Sequence, residues 1–261
     1  MRILVSNDDG IFAPGIKTLA ETLATQHEVY VVAPDRERSA NGHALTLHKP
    51  LRAEEIDIFK GVKGSWHVNG TPSDCVKLAL GAMFDFVPDA VVSGINRGQN
   101  MGTDVMYSGT VSAAMEGTIL GMQSIALSLT SFSDLHYETA ANFALLLVNK
   151  LKNNKLAPKT LLNVNVPAVP EEQIKGAKLT KLGVHRYIDV FEKRTDLRGK
   201  HYYWFAGESM EYEDEEDTDI SAVKQNYISV TPIHYDLTNH NFLPNLKSWD
   251  ISIKNIIEVN K

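Results

Sequence analysis

The chain has a single cysteine, Cys75, so it makes no internal disulfide and cannot build a cysteine metal cluster. No run of about 18 apolar residues is present, so the usual mark of a membrane-spanning helix is missing. Basic runs are missing too. With a formal net charge of -6, nothing is set out to meet a phosphate backbone, which argues against a nucleic-acid polymer as ligand. Small anions stay open, because a bound cation can reverse the local field. Residues 1–10 contain no Gly-x-Gly-x-x-Gly, so the dinucleotide fingerprint is absent at the first turn. Met1 runs straight into the strand-like Ile3-Leu4-Val5 with no basic-then-apolar leader. The expectation is a soluble, cytoplasmic protein with neither membrane nor nucleic-acid polymer as partner.

With 261 residues there is room for one large α/β domain, or one domain with an appended arm. Residues 2–6 form an apolar strand, and Asn7-Asp8-Asp9-Gly10 follows at its carboxyl end. Pro14 starts a helix with Ile16, Leu19, Ala20 and Leu23 on one face. A second strand runs from His27 to Ala33. This is a βαβ unit, which implies a parallel sheet and a ligand crevice at the carboxyl ends of its strands.

Asp8 and Asp9 are the first candidates for chemistry. Adjacent carboxylates at a strand end repel one another and favour a nearby cation or a raised pKa. A hard ion such as Mg²⁺ or Mn²⁺ accepts one or two carboxylates and keeps several waters; a turn that merely caps the next helix is the plainer alternative. The second candidate lies between residues 88 and 121. Ala90 to Val92 read as a buried strand, and a loop with Gly94, Asn96, Gly98, Asn100 and Gly102 follows it. Ser108-Gly109-Thr110 then opens a helix marked by Val111, Met115 and Ile119. Free N–H groups at such a start favour an anion. A third strand-end loop, residues 35–43, holds Arg36 and Arg38, which could meet phosphate, and Ser39, a potential ligand. His43 and His48 stay ambiguous.

Elsewhere, residues 45–58 alternate like a pair of short exposed strands. Thr71 is placed to cap a helix begun by Pro72, with Asp74 and Lys77 as an ion pair on it. Strands are expected at 124–129, 161–166 and 227–233, and a helix over 137–151. From about residue 180 the chain turns strand-like and aromatic, with Phe191, Tyr202, Tyr203, Trp204 and Phe205. The acidic run from Glu208 to Asp219 reads as a solvated loop, and the last thirty residues carry a modest helix signal. An aromatic hairpin outside the core needs a cover, for which a partner subunit is the economical answer. No thiol or serine–histidine pair stands out as nucleophile, so metal-assisted attack by water is the simplest chemistry. An aspartyl-phosphate phosphatase would want its two aspartates one residue apart. A receiver domain would want an aspartate where Ser93-Gly94-Ile95-Asn96 stands.

The motifs taken together resemble the SurE family, stationary-phase survival proteins that act as 5′/3′-nucleotidases. The resemblance is carried by Ile-Leu-Val-Ser-Asn-Asp-Asp-Gly at 3–10, Ala-Pro-Asp-Arg-x-Arg-Ser at 33–39 and Asn-Gly-Thr-Pro-Ser-Asp-Cys-Val-Lys at 69–77. It continues through Val-Ser-Gly-Ile-Asn-x-Gly-x-Asn at 92–100, Tyr-Ser-Gly-Thr-Val-x-Ala-Ala-Met-Glu-Gly at 107–117, Asn-Val-Asn-Val-Pro at 163–167, Thr218-Asp219 and Ile-Ser-Val-Thr-Pro at 228–232. It implies a Rossmann-like three-layer α/β/α core with a mostly parallel sheet over residues 1–180. Residues 181–261 would form a β-rich oligomerisation extension, giving a homodimer or homotetramer. It further implies hydrolysis of nucleoside 5′- and 3′-monophosphates by metal-activated water, with one Mg²⁺ or Mn²⁺ per subunit. Asp8 and Asp9 would be catalytic and, with Ser39 and Asn96, would ligate the metal. Ser108, Gly109, Thr110 and Asn100 would bind phosphate, while Gly94 and Gly98 would let the backbone approach the site. Ala40 and Asn226 depart from the family's usual glycines; neither removes a ligand, so only loop geometry is affected.

Overall fold

The structure, a computed structural model, describes residues 1–131, 136–210 and 215–249. The first half is built from β1 (Arg2–Ser6), α1 (Pro14–Ala24), β2 (Glu28–Pro34), β3 (Ala53–Glu55), β4 (Gly64–Val68), α2 (Pro72–Leu78), β5 (Ala90–Arg97) and α3 (Gly109–Ile119). The second half adds β6 (Gln123–Leu129), α4 (Tyr137–Leu151), β7 (Thr160–Val166), β8 (Ala177–Leu179), β9 (Arg186–Thr195), β10 (His201–Met210), α5 (Asp219–Lys224) and β11 (Ile228–His234). Among the described residues nine strands form one sheet, in the order β3-β4-β2-β1-β5-β6-β7-β11-β8, while β9 and β10 pair only with each other. The strands from β4 across to β7 are parallel neighbours; β3 is antiparallel to β4, and β11 is antiparallel to β7 but parallel to β8.

The central strands are mostly apolar and buried because helices cover both faces, with polar residues gathered toward their carboxyl ends. Ile3 and Val5 of β1 pack into the cluster that contains Ile16, Leu19 and Leu23 of α1 and Ala140, Ala144 and Val148 of α4. Leu4, one residue out of phase, joins Val76 of α2 and Ala113 of α3 on the opposite face. Strand periodicity thus sorts neighbouring residues into separate cores, and the result is the expected three-layer α/β/α arrangement. No helix among the described residues is long and apolar enough to cross a membrane.

Several expectations need correcting. Within residues 45–58 only β3 is a strand; its partner is β4, which the sequence reading missed. Asp74 does not pair with Lys77. It closes a capping box with Thr71 and accepts the Thr46 N–H at 3.0 Å, while Lys77 reaches Glu116 at 2.8 Å. The acidic run is not one solvated loop: Glu208 lies in β10, and Asp219 is buried at the start of α5. Although they follow residue 180, α5 and β11 are part of the main body, β11 lying beside β7 in the large sheet. The late helix signal corresponds to a 3-10 turn at Leu243–Trp249, and residues 250–261 lie outside the described residues.

Both departures from the family's glycines fall on left-handed backbone, with φ 55° at Ala40 and 63° at Asn226. Asparagine tolerates that region and alanine does not. Ala40→Gly should therefore raise stability by about 0.5–1 kcal/mol, the relief of left-handed strain less the added freedom of the unfolded chain. Urea unfolding of the two proteins measures the difference.

Candidate active site

β1 lies between β2 and β5, parallel to both. The chain builds outward from β1 to β2 and β4, then returns to β5 on the other side, so strand order reverses between β1 and β5. In an open α/β sheet the crevice forms at the carboxyl ends flanking such a reversal. The turn after β1 carries Asp8 and Asp9, and the end of β5 carries Asn96.

The carboxylate of Asp8 lies against the N-terminus of α3. The Thr110 hydroxyl donates to Asp8 Oδ1, and a Cβ added to Gly109 would stand 2.7 Å from Asp8 Cβ and 2.8 Å from Oδ2. Residue 109 is therefore held to glycine by the closeness of the carboxylate. Asp9 is tied to the neighbouring strand, its Oδ2 accepting the Arg97 N–H at 2.9 Å. On the third side, Arg38 N–H donates to the Asp8 carbonyl at 2.7 Å and brings the loop that bears Ser39 beside this turn. The structure thus brings three loops, separate in sequence, around Asp8.

The remaining candidates differ in what they present. Ser108 caps α3: its Oγ accepts the Val111 N–H at 3.0 Å, which leaves its own proton to donate. Asn96 turns its amide nitrogen to the Gly98 carbonyl at 2.8 Å, so its amide oxygen is the atom suited to a cation. Ser39 is exposed and donates to Glu37 Oε1 at 2.7 Å. Asn100 commits its amide nitrogen to Ser128 Oγ at 2.8 Å, which makes it a support of the loop. Gly94 abuts the Leu127 carbonyl, which an added Cβ would meet at 2.3 Å, so its close approach is to β6 and not to the site. The Arg38 guanidinium turns to Asp35 and to the Asn69 carbonyl, both at 3.2 Å.

Supports that the sequence reading missed are polar and buried. Asn165 grips the backbone of Asn100 from both sides, accepting its N–H at 2.8 Å and donating to its carbonyl at 3.0 Å, and Asn163 donates to the same carbonyl at 2.8 Å. The signal was available, since alternate asparagines pointing one way from an otherwise apolar strand need buried partners. Asp219 accepts the Gly102 and Gly183 N–H groups at 2.9 and 2.8 Å, holding the far end of the same loop.

Burial pushes the Asp8 carboxyl up to about 7; the Thr110 hydrogen bond opposes that rise and the charge of Asp9 adds to it. Among the described residues no Lys, Arg or His forms an ion pair with Asp8, and no three His, Cys, Asp or Glu residues gather as a metal cluster. A buried carboxylate with a like charge beside it lacks a cation. Two carboxylates with amide and hydroxyl oxygens suit a hard divalent ion that keeps water ligands, not zinc. The donor set fits Mg²⁺ or Mn²⁺.

Comparison with known proteins gives the family. Residues 3–189 match the family model described as survival protein SurE. The chain belongs to the SurE family. A relative from Cyanothece sp., named 5'-nucleotidase SurE, is 54% identical over 259 residues, covering 95% of this chain and 96% of the relative. A protein of the same name from Heliobacterium modesticaldum is 53% identical over 249 residues, covering 95% and 92%. The crystal structure of the SurE protein from Aquifex aeolicus superposes with a TM-score of 0.84 at 42% identity, covering 96% of this chain and all of that one.

A carboxyl whose folded pKa lies above its unfolded value stabilises fully below the unfolded value and loses that contribution as pH rises through the folded one. For Asp8 this window runs from about 4 to about 7. In EDTA, raising the pH across it should cost the wild type up to about 4 kcal/mol more than it costs Asp8→Asn. Denaturant unfolding of both proteins at pH 4.5 and 8 measures this, and parallel losses would refute it.

Proposed function

We propose that this chain is a divalent-metal-dependent nucleotidase that hydrolyses nucleoside 5′-monophosphates, and 3′-monophosphates as well, to nucleoside and phosphate. The observation that carries the reading is the placement of Asp8 against the first turn of α3, with Asp9 on the end of β5. Carboxylates suited to a cation and a helix start suited to an anion share one crevice, which is what a metal-assisted phosphomonoesterase requires. The SurE relatives named as 5'-nucleotidases support the same substrate class.

Asp8, Asp9, Ser39 and Asn96 would hold one Mg²⁺ or Mn²⁺ per subunit. When bound, such an ion polarises a phosphoryl oxygen and makes water a competent nucleophile at neutral pH. The chain's own groups do the rest. Ser108, whose Oγ proton is not used in its cap, donates to a phosphate oxygen, and the N-terminus of α3 at Gly109 and Thr110 offsets charge developing on the equatorial oxygens. The Thr110 hydroxyl joins the two halves by fixing Asp8. One of the two carboxylates takes the proton released by the attacking water. Asn100, clasped by Asn163 and Asn165, keeps the loop between Asn96 and Ser108 in register.

The exposed aromatics of the β9–β10 hairpin, Phe191 (64%), Trp204 (59%) and Phe205 (65%), would be covered by a second copy of the chain, giving a homodimer or homotetramer. Trp204→Glu together with Phe205→Glu should shift the protein to a lighter species in sedimentation velocity while leaving its far-UV spectrum intact. An unchanged mass would remove the hairpin from the assembly.

Phosphate release from a panel of nucleoside 5′- and 3′-monophosphates, with Mg²⁺, Mn²⁺ or EDTA, tests the activity. Turnover should vanish in EDTA, and Asp9→Ala should lower kcat/KM by about a thousandfold or more. Full activity in the Asp9→Ala protein would contradict the assignment.

A further inference from the structure

Glu116 is buried on α3, about two helix turns beyond the Ser108 cap, and is only 2% exposed. Two side chains from other elements meet it. His43 Nε2 is 2.7 Å from Oε2, and Lys77 Nζ, from α2, is 2.8 Å from Oε1. The His43 hydrogen bond holds the carboxyl below its usual range against the opposing effect of burial, with Lys77 contributing, so Glu116 is ionised. An ionised carboxylate only accepts, which makes His43 Nε2–H the donor.

Burying a charge is costly unless it is paired, and packing α2 on α3 does not require one, since Val76, Ala79 and Ala113 already supply an apolar contact. The cluster's distinctive effect is on the chain between β2 and β3, which has no regular structure and is held by side chains and isolated bonds. Arg38 N–H donates to the Asp8 carbonyl at 2.7 Å on the near side of Ser39. On the far side Gly42 N–H donates to the Tyr107 carbonyl at 3.1 Å, and His43 then grips Glu116. Further along, Thr71 Oγ1 donates to the Ala44 carbonyl at 2.7 Å and Thr46 N–H to Asp74 Oδ1 at 3.0 Å. Ser39 therefore stands in a short turn, shaped by left-handed Ala40 and Gly42, between an anchor on Asp8 and an anchor on α3.

We propose that His43, fixed by Glu116, is a positioning residue for Ser39: the contact sets the turn at residues 39–42 so that the serine hydroxyl is presented to the cation of the Asp8–Asp9 site. Lys77 keeps the Glu116 carboxylate oriented toward it. The inference rests on the reading of Asp8, Asp9 and Ser39 as cation ligands, and goes beyond it by naming the residues on which the third ligand depends. A group that orients a metal ligand typically changes affinity by about 10- to 100-fold when removed.

The experiment measures Mn²⁺ dissociation constants without substrate, by the EPR signal of free Mn²⁺, together with the unfolding midpoint of each protein. The variants are His43→Asn, His43→Gln, Ser39→Ala, Ser39→Ala/His43→Asn and Asp9→Ala. Asparagine is too short to reach Glu116, whereas glutamine carries an N–H donor about as far from the backbone as Nε2. Both are polar and the site at residue 43 is 31% exposed, so folding is preserved. His43→Asn should weaken Mn²⁺ binding about tenfold, His43→Gln should restore it to within about threefold, and the double variant should bind no more weakly than Ser39→Ala alone. Wild-type affinity in His43→Asn, or losses that add in the double variant, would overturn the proposal while leaving the cation site in place. Equal Mn²⁺ binding by wild type and Asp9→Ala would instead remove the cation site, and the positioning role with it.

Discussion

Burying the Asp8 carboxylate is the constraint from which the site follows. It is 5% exposed with a second acid next to it in sequence, an arrangement that water would otherwise relieve. Two features offset it within the chain. The Thr110 hydroxyl donates to it, and it faces the positive end of α3. That compensation requires the helix to begin within contact distance of β1, so residue 109 has no side chain and Ser108 closes the cap. The remaining deficit of positive charge is what the proposed hard cation would supply. Chemistry and fold therefore meet at one atom group: the carboxylate that needs the helix start is also the one that favours a neighbouring positive charge.

Around that point the loops are held by side chains substituting for secondary structure. Asn165 pairs with the backbone of Asn100 much as a neighbouring strand would, and Asp219 collects N–H groups from Gly102 and Gly183. Each is a buried polar group fully used on backbone, which is costly to disturb because the loss leaves unsatisfied donors behind. The loop carrying Ser39 is secured differently, through charged contacts that are partly open to water. A rigid half, proposed to bind phosphate, faces a more adjustable half, proposed to help hold the ion.

What the sequence makes legible follows from range. The α/β alternation, α1 and the central strands could be read because their signals are local: apolar runs, helical spacing, Pro14 and Thr71 at helix starts. Asp8, Asp9 and Ser108 were singled out because strand ends and helix starts are where an α/β sheet keeps its ligands, and the structure brings Asp8 to the start of the helix that Ser108 caps. Residues 45–58 misled because their conformation is imposed from elsewhere, by Asp74 and Thr71. β4 escaped notice because a short strand near the sheet edge, Gly-Ser-Trp-His-Val, has little apolar pattern. The contact of His43 with Glu116 spans 73 residues, and no periodicity reports such a pair. Thr218-Asp219 fits the family pattern, but the supporting role of Asp219 was concealed by an acidic run whose composition alone suggests solvent.

The hairpin of β9 and β10 leaves and re-enters the main body at nearly one place. Lys181 bridges to Thr218, its N–H donating to the Asp217 carbonyl and its carbonyl accepting from Asp219 N–H. The intervening stretch is in effect an insertion with a closed neck, so its length and composition can drift without altering any strand order in the large sheet. If copies associate through it as proposed, editing this appendage alone would retune that association, but the neck shares Asp219 with the loop leading to Ser108. The root of the hairpin also meets that loop through His185, whose carbonyl accepts the Thr103 hydroxyl at 2.7 Å and whose Nδ1 lies 2.7 Å from Asp104 Oδ2, so a shift of the appendage is transmitted to residues 102–104 through a narrow hinge of two side chains, Asp219 and His185.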